Sequence, residues 1–174
     1  MRPWKLPPPI KVYEAMGAIG DGRVRAVDDD AARSAWEVVS SDGSKSYSVE
    51  LSTDGREVSS NDNASYWQGY LGYPAIAVLI ARGTLRATPV ATHLLAGIPW
   101  KEINRRHRNA YERTAAEVAR IVRERGGDPD AIAAEAAAII DTLAALGLQR
   151  GARPRPPAAA TSPVSRSAVD RRDG

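Results

Sequence analysis

The chain has 174 residues, 43% of them hydrophobic and 26% charged, with a formal net charge of +3. This is the make-up of a globular protein long enough to bury one core without covalent staples. Cysteine is absent, which excludes disulfides, thiolate metal sites and cysteine nucleophiles. No apolar run reaches the roughly 18 residues of a membrane helix, and the opening MRPWKLPPPIKVYEAMG lacks the apolar core of a secretory signal. A cytoplasmic protein with no membrane partner is expected. High Ala, Arg and Glu without Cys is compatible with a thermophilic source.

Residues 1–9 hold four prolines and one Trp and predict an extended arm. Ile10, Val12, Tyr13, Met16 and Ile19 recur at helical spacing before Gly20 and Gly22, which predicts a short helix. Arg23 to Val27 alternates like a strand. Asp28, Asp29 and Asp30 read as an exposed acidic turn, since a cation loop spaces its ligands to wrap an ion. A β-meander follows. Trp36 to Val39 and Ser46 to Leu51 are strands joined by Ser41-Asp42-Gly43-Ser44. Thr53-Asp54-Gly55 turns the chain into a short third strand, Arg56 to Ser59.

The stretch Glu57 to Gly83 carries the most information. Tyr66, Trp67, Tyr70 and Tyr73 fall within eight positions of a chain that has no Phe. Gly69 and Gly72 break up that cluster, so it reads as an ordered loop. Pro74 suits a first helical turn. Ile76, Val78, Leu79 and Ile80 are apolar nearly all round, as in a helix buried on most sides. This helix is expected to cover the sheet and centre the core.

Beyond Gly83, Thr88-Pro89 starts a short helix that Gly97 ends. Pro99 opens a helix predicted to run unbroken from Trp100 to Arg125, with a thin apolar face at Ile103, Val118 and Ile121. Asp128-Pro129 caps a last helix whose seam is Ile132, Ala136, Ile139, Leu143 and Leu146. The two long helices are expected to form a hairpin. Residues 150–174, rich in Pro, Ala, Ser and Arg, predict a disordered tail. The domain plan is therefore an arm over 1–9, an α+β domain over 10–83, a helical extension over 84–149 and the tail.

The order helix, strand, hairpin, short strand, polar loop, apolar helix over about Ile10 to Gly83 resembles the SWIM-type zinc finger. Tyr47-Ser48-Val49 is similar to that family's strand signature. Asp62 with Tyr66 and Trp67 is similar to its loop, and Ala77-Val78-Leu79-Ile80 to its helix. The register puts Val58, Ser60, Gly72 and Pro74 where the family has its cysteine and histidine ligands. None of these can bind zinc as a thiolate or imidazole. The resemblance is thus to a degenerate member without its metal. It implies a small β-meander packed on a helix, DNA or protein interaction rather than catalysis, and no cofactor or metal. The Tyr66–Tyr73 cluster is then expected to stand in for the lost metal as core, to form an exposed recognition patch, or both.

Catalytic motifs are missing. His93 and His107 are the only histidines, and their separation on two predicted helices is not a metal spacing. There is no nucleophile elbow, phosphate loop or dinucleotide fingerprint. Asn61, Asp62 and Asn63 are expected to shape a turn. Basic charge is concentrated late in the chain: residues 101–125 sum to +4, and so does the stretch from Arg150 onward. Arg106, Arg113 and Arg120 recur every seven residues with Asn109 and Arg123 beside them, and Arg105 and Arg108 are counted with them as candidate nucleic-acid contacts. That stripe is read either as a phosphate-binding face helped by the Arg-rich tail or as a solvated face neutralised by Glu102, Glu112, Glu117 and Glu124. The expected function is a non-enzymatic nucleic-acid-associated module of low sequence specificity. The alternative is a protein–protein adaptor that uses Tyr66, Trp67, Tyr70 and Tyr73.

Overall fold

The computed structural model describes residues 2–29 and 33–159 of the chain. It is an α+β fold in which a mostly antiparallel sheet and several helices share one core. Helix α1 spans Pro9–Gly20 and has a proline in its first turn, where a missing N–H costs nothing. Strands β1 (Val24–Asp29), β2 (Arg33–Val39), β3 (Lys45–Ser52) and β4 (Glu57–Ser60) form the meander. Within it, Trp36 lies opposite Val49 and Val38 opposite Tyr47. A single π-helical turn, Ala64–Gln68, leads to helix α2, Tyr73–Ala81.

Every residue of α2 from Ala75 to Leu79 has 0% exposure. It packs against β1, β2, β3 and β4 on one side and against α1 on another. This explains its lack of a polar face. Val38, Val49, Leu51 and Val58 are buried apolar residues of the sheet, spaced to fall on one face of pleated strands. Helices α3 (Pro89–Leu95), α4 (Trp100–Arg106), α5 (Tyr111–Glu124) and α6 (Pro129–Leu146) complete the helical layer. Gly17 lets α1 approach it. A Cβ there would lie 2.7 Å from Trp100 Nε1 and 2.9 Å from the Leu95 carbonyl oxygen, closer than packed atoms tolerate.

Four expectations need correction. First, the predicted helix over 100–125 is two helices. Arg108 and Asn109 are left-handed, at φ 52° and 59°, and the Asn109 N–H bonds back to Asn104 O at 2.8 Å. No Gly or Pro marks this break, and the apolar spacing reads through it. Second, Asp28 and Asp29 belong to β1 rather than to a turn; Asp30 lies outside the described residues. A bulge between Ala26 and Asp28 blunts this edge strand.

Third, the stretch from Arg150 does not begin as a disordered tail. Strand β5, Gln149–Arg150, pairs parallel with β4, and β6, Ala158–Ala159, pairs with β3. The open edge of β4 supplies backbone partners, and such pairing needs no apolar side chains. Residues 160–174 lie outside the described residues. Fourth, no core boundary separates 10–83 from 84–149. One apolar cluster runs from Ile10 through Leu79, Leu95, Ile103, Val118 and Ile139 to Leu148. The segment before α1 is tied down: the Trp4 backbone N–H donates to Leu148 O at 3.0 Å.

Candidate functional site

The aromatic loop is built on Asp62. Its carboxylate accepts from Ser60 Oγ at 2.6 Å, from Ala64 N at 3.0 Å and from Ser65 N at 3.1 Å. Ser65 Oγ in turn accepts from Gly72 N at 3.0 Å. Only glycine fits at 72, since a Cβ would fall 1.9 Å from Asp62 Oδ1. Asn61 Oδ1 meanwhile accepts from Ser48 N at 2.9 Å. Ser60, Asp62 and Gly72 thus meet in one hydrogen-bonded knot. Of the other two positions compared with zinc ligands, Val58 is core and Pro74 begins α2.

This knot fixes the π turn as a ridge with a hollow on each side. Trp67 is at its tip and is 75% exposed. The ring of Tyr66 meets it edge-on at 4.8 Å. Tyr70 and Tyr73 turn the other way, so the four aromatics do not form one patch.

On the Tyr66 side the C-terminal arginines fold back. Arg150 donates from Nη2 to Gly69 O at 2.7 Å and lies 4.8 Å over the ring of Trp4. Arg153 sits 4.1 Å from the ring centre of Tyr66 and 6.0 Å from that of Trp67. Arg150, Arg153, Trp4 and Tyr66, with Arg2 and Ser59, line a hollow of about 310 Å³ whose lining has no carboxylate. Arg150 Nε is buried there without an acceptor among the described residues.

The other side is a larger cleft of about 460 Å³ between α1, the β2–β3 turn, the π turn and α4. Its floor is an ion pair within α1. Lys11 Nζ lies 3.1 Å from Glu14 Oε1, and Asn104 Nδ2 donates to the same oxygen at 2.7 Å. Thr114 Oγ1 donates to Asn104 Oδ1 at 3.2 Å. The polar chain therefore ties α1, α4 and α5 together. Burial alone would lower the Lys11 ammonium, but Glu14, with Tyr111 and Asp62, outweighs it and raises Lys11 above the ordinary lysine value.

Tyrosines wall this cleft. Tyr47 and Tyr73 pack edge-to-face at 6.0 Å, and the hydroxyls of Tyr70 and Tyr111 are 3.4 Å apart. Burial, reinforced by Asp62, Asp42 and Glu14, pushes the Tyr47 phenol up to about 12. Burial raises Tyr70 and Tyr73 as well. All three remain neutral donors at physiological pH.

The arginines predicted as one stripe are divided. Arg105, Arg106 and Arg108 lie on α4 or just after it, and Arg113, Arg120 and Arg123 on α5. Arg106 pairs with Glu117 at 3.3 Å and more loosely with Glu102 at 3.9 Å. Arg120 pairs with Glu124. His107 bonds Glu117 at 2.6 Å, which makes it a brace across the helix break. Arg105 lines the large cleft beside Asn109 and Gln68.

Trp4, Lys11, Glu14, Asn104 and Tyr111 were not singled out from sequence, and Tyr47 was noted only as part of a strand. One signal was available for Lys11 and Glu14, the only charged residues on an otherwise apolar helix. Among the described residues no helix is long and apolar enough to cross a membrane, and no three His, Cys, Asp or Glu side chains cluster in a way that could hold a metal.

The family described as Uncharacterised conserved protein UCP014422 matches residues 4–149, and the chain belongs to it. No curated protein and no solved structure gave a match.

Proposed function

We propose that the chain is a non-enzymatic binding module for single-stranded nucleic acid, which crosses the ridge formed by the π turn. The observation that carries this reading is the position of Trp67. It is 75% exposed at the ridge tip, and Arg153 sits beside it. The flanking hollow contains arginines and no carboxylate. Aromatic faces for bases with cations for phosphates are what sequence-tolerant single-strand binding requires. Arg105 continues the cationic path on the far side of the ridge. The Glu-paired Arg106 and Arg120 contribute little, because their charge is already compensated. Arg108, Arg113 and Arg123 line neither hollow and act at most through the long-range field. Loss of the metal ligands of a SWIM-like ancestor fits this reading if the Asp62 knot does the metal's work of fixing the loop.

The test is competition. Unlabelled single strand should displace a labelled oligonucleotide far better than duplex of the same sequence does. Equal displacement by duplex would remove stacking from the account. The exposure of Trp67 also favours a second reading, a protein partner docking on that ring. Absence of any oligonucleotide binding at low salt would put that reading first.

A further inference from the structure

We propose that the large cleft is a binding site for a free mononucleotide; it adjoins the ridge and shares Arg105 with the polymer path, but its Lys45 lies off that path and it uses neither Trp67 nor Arg153. Three sets of groups converge on it. The rings of Tyr47, Tyr73 and Tyr111 provide aromatic walls. Asn63, Gln68 and Asn109 bring side-chain amides into the same space. They make no side-chain hydrogen bond among the described residues, and amides match the paired donor and acceptor edges of bases. Lys45 and Arg105 line the cleft too. Neither has an ion pair among the described residues, so both are free to meet a phosphate.

The cleft's other charges are already committed. Glu14 is held by Lys11 and Asn104. Asp62 is held by Ser60 and two backbone N–H groups. Arg23 is paired with Asp21, and Lys101 with Asp42. Asp62 has no cationic partner among the described residues, but Lys45 and Arg105 outnumber it, so the balance of the lining is positive and favours an anion. The volume of about 460 Å³ lies in the range of small-ligand sites. Asn109, at the rim, holds a left-handed φ of 59°, a cost that clusters at ligand clamps. A simple oxyanion would leave the aromatic walls and amides unused. A nucleoside 5′-monophosphate uses all three sets.

The experiment is calorimetric titration of the full chain with AMP, GMP, CMP and UMP, alongside ribose 5-phosphate and inorganic phosphate. At least one mononucleotide should bind at one per chain, about tenfold or more tighter than ribose 5-phosphate. Lys45→Ala and Arg105→Ala should each weaken it by about tenfold, the effect of roughly 1.4 kcal/mol. Trp67→Ala and Arg153→Ala should leave it unchanged, which separates this site from the ridge. Both cations lie at the cleft margin with no ion pair among the described residues, so these variants keep the fold; matching melting curves verify this. No saturable binding by any mononucleotide would overturn the proposal. So would equal binding of ribose 5-phosphate, or Lys45→Ala and Arg105→Ala chains that bind like the parent.

Discussion

Asn104 on α4 donates to the Glu14 carboxylate on α1 at 2.7 Å, although the two residues are 90 positions apart. Glu14 is 3% exposed, and its only charged partner among the described residues is Lys11. The break after α4 is what makes the contact consistent. It lets α5 turn back so that Thr114 supports Asn104 from behind and Tyr111 closes over Tyr70. Glu14→Ala should therefore destabilise by about 3–5 kcal/mol, because it leaves a buried ammonium unpaired. Asn104→Ala should cost less, about 1–3 kcal/mol for one lost bond to a charged group. Urea midpoints in which the two variants match the parent would show that this chain is not part of the stabilising core.

Leu79 is fully buried at the centre of α2. Leu79→Ala should lower stability by about 2–5 kcal/mol through lost burial and a cavity. A denaturation midpoint within error of the parent would make α2 peripheral.

The knot at Asp62 predicts an asymmetry. Gly72 has an ordinary φ of −73°, so Gly72→Ala acts only through its clash with Asp62. It should cost about 1–3 kcal/mol. In Gly72→Ala/Asp62→Ala the clash is gone, so the double variant should be less destabilised than the two single costs added. Strict additivity by chemical denaturation would mean the two residues do not meet. In the same assay a chelator should leave the parent's midpoint unmoved, since Val58, Ser60, Gly72 and Pro74 offer no zinc ligand.

The meander, the first helix and the central apolar helix were legible because each follows a local rule. Tyr47, Val49 and Leu51 alternate, Asp54-Gly55 marks a turn, and Ile76 to Ile80 admit no polar face. The cleft was not legible. Its parts come from positions 11, 14, 47, 63, 104 and 111, and only the fold brings them together. The break at Arg108 and Asn109 was hidden for a related reason: left-handed non-glycine residues carry no strong signature, and both flanking helices keep apolar spacing. The return of Arg150 and Arg153 to the aromatic loop was masked by composition. A Pro- and Arg-rich segment satisfies the rule for disorder even when a sheet edge waits for its backbone.

Alkaline pH tests the cleft's tyrosines. The Tyr47 phenol is pushed up to about 12 in the fold from an ordinary 10. A raised folded value means that the folded state holds its proton more tightly. Its contribution is fully present below pH 10 and is lost as pH rises from 10 toward 12. Lys11, also raised, acts in the same direction. Stability should be level from about pH 7 to 10 and fall above that, and Tyr47→Phe should make the fall shallower. Identical slopes for parent and Tyr47→Phe in urea melts across that range would contradict the burial of this phenol.

The ridge at Trp67 and its flanking cations are proposed to bind single-stranded nucleic acid. The most direct measurement is fluorescence anisotropy of a labelled single-stranded oligonucleotide, titrated at several salt concentrations. Each phosphate contact contributes roughly 0.7 to the slope of log affinity against log salt. The parent should bind at low salt with a clear negative slope. Trp67→Ala should weaken binding by about 1–3 kcal/mol at every salt concentration and leave the slope alone. Arg105→Ala/Arg153→Ala should flatten the slope by about 1.4, two contacts' worth. Arg106→Ala/Arg120→Ala, which removes only Glu-paired arginines, should follow the parent. No binding by the parent at low salt, or superimposable curves for the parent, Trp67→Ala and Arg105→Ala/Arg153→Ala, would contradict the account.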